Sequence, residues 1–187
     1  TKEQYEANVE TKKGSQSFVE YAIKLPGDSS PVYLPIDAKF PADAYSKLLE
    51  SYDSGDLTEI ESSKSILIKR LKSFAKDIHD KYIDPPNTTE FAIMFLPFEG
   101  LYAEAVRLGM VEELQRLYKI NIAGPTTTAA LLNSLQMGFK TLAIQKRSSE
   151  VWDVLGAVKT EFDKFETVLE SAQSRIEQAN SELDKLI

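Results

Sequence analysis

Cysteine is absent from the sequence, which excludes a disulfide framework and a thiolate metal site and suits a reducing compartment. No segment approaches the ~20 apolar residues of a membrane helix, and no signal peptide precedes the first patterned stretch. These residues therefore read as cytoplasmic, with no membrane segment among them. A P-loop (G-x-x-x-x-G-K followed by Ser or Thr) and the dinucleotide pattern G-x-G-x-x-G are both missing, so the usual nucleotide-binding loops are excluded. There is no internal repeat and no low-complexity segment. Positive charge is also short, with 22 Lys and Arg against 29 Asp and Glu and a net charge of −7. That excess is unevenly placed: nine acids and four bases fall after position 147, a balance of −5, leaving −2 for everything before. A local basic groove in the earlier part is compatible with this distribution, because local potential matters more than the sum.

What is present is an ordinary globular composition, 187 residues with 42% apolar and 27% charged side chains, enough for one domain with a full-sized core. The chain opens on Thr1 directly in domain-like sequence, as a piece of a longer protein would. Val32 to Phe40, V-Y-L-P-I-D-A-K-F, alternates Val32, Leu34, Ile36 and Ala38 with Tyr33, Pro35, Asp37 and Lys39, the period-two pattern of a strand. A second alternating run, F-V-E-Y-A-I-K-L from Phe18 to Leu25, precedes it, and P-G-D-S-S-P between them supplies turn chemistry for a hairpin. With Leu25 facing Val32, opposed residue numbers sum to 57. Val19, Tyr21, Ile23 and Leu25 then share one apolar face with Ala38, Ile36, Leu34 and Val32, while Glu20 falls opposite Asp37 on the other. A one-residue slip would destroy that agreement. Two opposed carboxylates with Cβ atoms roughly 5 Å apart repel each other, so a cation is expected between them.

The remaining elements alternate. Tyr5 to Val9 reads as an edge strand. Helical spacing follows Pro41, with Tyr45, Leu48, Leu49 and Tyr52 on one face up to Ser54 and Gly55. A second helix is predicted from Leu57 to Tyr82 with Ile60, Leu67, Leu71, Phe74, Ile78 and Tyr82 as its stripe, ended by Pro85 and Pro86. Glu90 to Leu96 is a buried strand, E-G-L-Y-A-E-A-V-R after Pro97 a helix, Val111 to Tyr118 another, and Ile120 to Ala123 a short strand before G-P-T-T-T and a further helix to about Arg147. The expected class is α/β, or α+β, with a mixed central sheet flanked by helices over 1–147. From 148 to 187, Val151, Leu155, Val158, Phe162, Phe165, Leu169, Ala172, Ile176, Ala179, Leu183 and Leu186 recur at steps of four and three, the pattern of a coiled-coil helix that packs on a partner helix or a second copy of the chain.

Glu20, Asp37 and Lys39 are the candidate site. One reading is a solvated hairpin face carrying an ion pair. The other is the PD-(D/E)XK arrangement of metal-dependent nucleases, in which Glu20, Asp37 and the Ala38 carbonyl hold Mg²⁺ or Mn²⁺, hard cations that take oxygen ligands. The metal would polarise a phosphate and lower the pKa of bound water, and Lys39 would orient that water or offset charge in the transition state. Further candidates are Glu99, just past the buried strand, with a helix-dipole acid as the alternative, and Thr126 in G-P-T-T-T, with phosphate binding set against simple capping. Lys140, Lys146 and Arg147 are candidate backbone-phosphate contacts, or solvated surface. His79 reads as surface or packing. Trp152 and the Phe162 and Phe165 pair read as core.

V-E-Y-A-I-K-L-P, L-P-I-D-A-K-F-P with Tyr45 after it, F-A-I-M-F-L-P-F-E-G-L-Y-A-E, I-A-G-P-T-T-T-A-A-L-L-N-S-L-Q-M-G-F and K-R-S-S-E-V-W-D-V-L-G-A-V-K-T-E-F closely resemble the RmuC family of bacterial DNA-recombination proteins, from about Phe18 to Phe165. The resemblance implies DNA as partner and a nuclease-like core of restriction-endonuclease type. Full-length members commonly add an N-terminal hydrophobic anchor, which implies attachment to the inner membrane, and a coiled coil. In the family pattern a Pro-Asp pair commonly stands where Val19 and Glu20 stand here, and Asp37 and Lys39 match unaltered. A further acid typically lies on a helix before the hairpin, upstream of this sequence.

Overall fold

The computed structural model describes residues 3–27 and 30–184; within the last helix, side chains are described except at 143, 145–150, 153, 179, 180 and 182–184. Five strands, β1 (Tyr5–Val9), β2 (Val19–Leu25), β3 (Val32–Ala38), β4 (Ala92–Phe95) and β5 (Ile120–Ala123), form one sheet in chain order. The first three pair antiparallel, whereas β3 with β4 and β4 with β5 pair parallel. Two parallel neighbours need crossovers. Helices α1 (Ala42–Ser54) and α2 (Leu57–Tyr82) supply the first, α3 (Glu99–Arg107) and α4 (Met110–Tyr118) the second. The mixed sheet with flanking helices is the architecture the alternating patterns predict.

Local chemistry sets several of these boundaries. Gly55, at φ +71°, ends α1 in the left-handed conformation that favours glycine, and its N–H returns to the Ser51 carbonyl. One residue later the Asp56 carboxylate accepts from the Thr58 and Glu59 N–H groups and starts α2. The stripe of α2 then buries Leu67, Leu71, Ala75, Ile78 and Tyr82 against Ala22 and Val19 of β2 and Ala92 and Met94 of β4. β4 is covered on both faces, with Ala92, Ile93 and Met94 all at 2% exposure or less, as its unbroken apolar run requires.

The hairpin register is the expected one: Tyr21 pairs with Ile36, Ile23 with Leu34 and Leu25 with Val32. The face assignment needs correction. Helix α2 lies on the side of Ala22, Tyr33, Asp37 and Lys39, not on the side the alternation marked as apolar. Ile23 and Leu34 are buried on the reverse side, but Tyr21 there is 51% exposed, its ring tilted against that of Tyr5. Period-two spacing says which residues share a face; it does not say which face a distant helix will cover. Leu49, expected on the packed face of α1, is instead exposed, and Ala44, Leu48 and Ser51 are buried.

By backbone proximity the chain divides into two units, Thr1–Leu132 and Asn133–Ile187. Helix α5 (Pro125–Asp184) begins in the first and accounts for the described part of the second. Trp152, Phe162 and Phe165, expected as core, are 72, 67 and 59% exposed, because the second unit offers them no second apolar surface among its described residues. The side chains of Ala179, Leu183 and Leu186, the last heptad positions, lie outside the described residues.

Candidate functional site

The β2–β3 ladder ends at the pair of Tyr21 with Ile36. Beyond it the Ala38 N–H donates to Glu20 Oε2 at 3.4 Å, and the next amide, Lys39 N–H, donates to the Phe95 carbonyl of β4 at 2.9 Å. Glu20 therefore reaches the peptide that follows Asp37, a modification of the directly opposed pair that the register predicts. At Ile36 β3 is paired with both neighbours, and its last residues, Asp37 and Ala38, stay in register with Met94 and Phe95 of β4.

Asp37 is 2% exposed, the most deeply buried charged side chain described. Lys39 forms an ion pair with Asp37 Oδ2, yet it lies off the direction a hydrogen bond needs, and that oxygen has no directed partner. The Lys39 ammonium is the cation that offsets the burial of this carboxylate oxygen. The Lys39 side chain is 25% exposed, and its ammonium sits 6.0 Å from the Phe74 ring of α2, at the outer limit of a cation–π contact. Glu20 is exposed.

Tyr82, at the C-terminal end of α2, is 9% exposed. Burial first, then the charges of Asp37 and Glu20, raise its phenol above the ordinary tyrosine value. Both carboxylates thus act on one hydroxyl. The Tyr82 carbonyl is tied down by the Thr11 hydroxyl at 2.8 Å. Sequence pattern assigned Tyr82 only to the packing stripe, and nothing local to it announces a neighbour forty-five positions earlier in the chain. Among the described residues no three His, Asp or Glu side chains gather in a way that could hold a metal ion; Glu20 and Asp37 are two.

The other candidates fall elsewhere. Glu99 stands in the first turn of α3 and also caps a second helix, accepting from the Thr126 N–H of α5 at 2.5 Å. The Thr126 hydroxyl and then its N–H hold Glu99 below the usual carboxylate range. The amide that a phosphate would use at Thr126 is already bonded. Gly124 makes the approach feasible, since a Cβ there would lie 2.9 Å from Glu99 Oε2 and from the Tyr102 ring. His79 Nδ1 contacts the Tyr118 carbonyl at 2.8 Å, a packing role. Lys140 is exposed in the second unit, and the side chains of Lys146 and Arg147 lie outside the described residues.

Comparison with known proteins adds ancestry. The RmuC family model matches residues 1–187. A protein of Xylella fastidiosa (strain Temecula1 / ATCC 700964) named "DNA recombination protein RmuC homolog" is 51% identical over 94% of this chain and 40% of its own length. Homologues of the same name from Chlamydia pneumoniae and Chlamydia muridarum are 35% and 29% identical, over 69% and 82% of this chain and 29% and 35% of theirs. The chain thus spans about two fifths or less of the curated relatives it matches. No solved structure matches it. With the whole sequence covered by the family model and half its residues shared with one relative, this chain belongs to the RmuC family.

Proposed function

We propose that the chain is the catalytic part of a DNA recombination protein and hydrolyses DNA phosphodiester bonds with Mg²⁺ or Mn²⁺ at Glu20, Asp37 and Lys39. The observation that carries this reading is Asp37 Oδ2, a buried carboxylate oxygen without a directed hydrogen bond, beside a lysine and within reach of a second acid. Two carboxylates fit a small hard cation, which typically keeps several waters and accepts substrate phosphate oxygens for the rest of its shell. Bound there, the metal would supply Lewis-acid polarisation and a more acidic water. Lys39, a quarter exposed, offers its ammonium to a phosphate oxygen or to the attacking water.

Incubating the full-length protein with supercoiled plasmid and Mg²⁺ or Mn²⁺ tests this. Nicking should fall at least about 100-fold in Asp37→Asn and Lys39→Ala, in line with the removal of one charge-stabilising group. Equal nicking by wild type and Asp37→Asn, or none by wild type on any DNA, overturns it.

A second reading is a DNA-binding or scaffold protein that keeps the nuclease-like fold without catalysis. The depth of Asp37, 2% exposed, and the exposed apolar positions of α5 favour it. It predicts salt-sensitive DNA binding that survives Asp37→Asn.

A further inference from the structure

Phe40 and Phe98 are 44% and 51% exposed, and their rings meet at a tilt, with centroids 4.8 Å apart and planes at 41°. They come from the two loops that leave the C-terminal ends of β3 and β4, neighbouring parallel strands, where open α/β sheets bind ligands. Phe40 is the residue immediately after Lys39. The backbone beneath the rings is held: Lys39 N–H donates to Phe95 O at 2.9 Å, Ala42 N–H to Phe40 O at 2.9 Å and Tyr102 N–H to Phe98 O at 3.0 Å. The one charge adjoining Phe98, Glu99, is turned onto the Thr126 amide at the start of α5, where the helix dipole offsets it.

We propose that Phe40 and Phe98 form a stacking platform for an unpaired nucleobase, which seats single-stranded DNA so that a neighbouring phosphate meets Lys39. This deepens the hydrolytic reading and rests on it for the role of Lys39. Aromatic faces stack on any base, but only on one whose own face is free. Fully paired duplex offers none, so the platform selects single strands over duplex. Lys39, next to Phe40 in the chain, supplies a charge for the backbone that an apolar protein ligand would not need.

The test uses the full-length protein, a fluorescent oligothymidylate, a duplex of the same length, and a single strand carrying 2-aminopurine. Phe40→Ala and Phe98→Ala should each weaken single-strand binding roughly five- to hundred-fold, leave duplex binding unchanged and abolish quenching of 2-aminopurine. Phe98→Trp should restore both. Phe40→Leu and Phe98→Leu keep apolar bulk without a π face and should behave like the alanine variants, which guards against misfolding as the cause. Equal losses on both DNA forms, no loss on either, or wild-type binding by the leucine variants overturns the platform. Asp37→Asn should retain the 2-aminopurine signal while losing nicking. Quenching by a wild-type protein that never nicks DNA would sink the hydrolytic reading and leave the platform standing.

Discussion

Asp37 and Lys39 are ion-paired, but only one of them can reach water. The Asp37 side chain is 3% exposed and that of Lys39 25%, so the two deletions should differ. Lys39→Ala leaves a buried carboxylate without its partner and should cost about 3 kcal/mol, near the lower end for such a loss. Asp37→Asn frees a lysine that can turn outward and should cost about 1 kcal/mol. Urea unfolding of both variants checks the order, and a reversed order would mean that the carboxylate is not the trapped member. Tyr82 adds a pH dependence with a definite sign. Its phenol is raised above the ordinary value, mainly by burial, so its contribution is complete below the unfolded value near 10 and is lost as pH rises through the higher folded value. Tyr82→Phe should therefore flatten the loss of stability above about pH 10 that the wild type shows by circular dichroism, although Tyr33 and Tyr52, also raised, keep part of that slope.

At the scale of the element, α2 is the piece that turns sequence into a site. Its inward stripe holds the sheet, and the same stripe brings the Phe74 ring to 6.0 Å from the Lys39 ammonium and the Tyr82 phenol into the field of Asp37 and Glu20. Leu71, at 0% exposure, should cost about 2–5 kcal/mol as Leu71→Ala, the range for a buried leucine. Leu49 on α1, 45% exposed, should change stability by no more than about 0.5 kcal/mol as Leu49→Ala. Comparable losses from the two, measured by thermal or urea unfolding, would mean that Leu49 packs with Leu48 on the face assigned from its spacing and is not the exposed member of that stripe. Helix α5 is joined to the sheet domain by a different device, the Glu99 carboxylate on its second residue.

For the whole molecule, the open question is what α5 meets. Phe162, Phe165, Leu169 and Ile176 are 67, 59, 53 and 61% exposed in the second unit, on a heptad ridge of the kind that buries itself against another helix. Association of two chains through this ridge is expected, visible as a concentration-dependent mass in sedimentation. Replacing Phe165, Leu169 and Ile176 by serine should leave a monomer with an unchanged sheet domain. A wild type that stays monomeric at high concentration would instead point to a helix in another part of the full-length protein.

Element types, most boundaries, the hairpin register and the family were all legible from local order: alternation for β2 and β3, helical spacing for α1 and α2 with the break at Ser54 and Gly55, and long blocks such as L-P-I-D-A-K-F-P. These depend on residues close in the chain, whose preferences are set by backbone sterics and side-chain spacing. Tertiary structure alone decided that α2 covers the Asp37 side of the sheet, that the charges of both acids act on the Tyr82 phenol, that Glu99 caps a helix 27 residues away, and that Phe40 meets Phe98. Each of those contacts joins segments distant in sequence, and period-two or helical spacing fixes only which residues share a face. The choice of which face is buried belongs to the packing of the entire core.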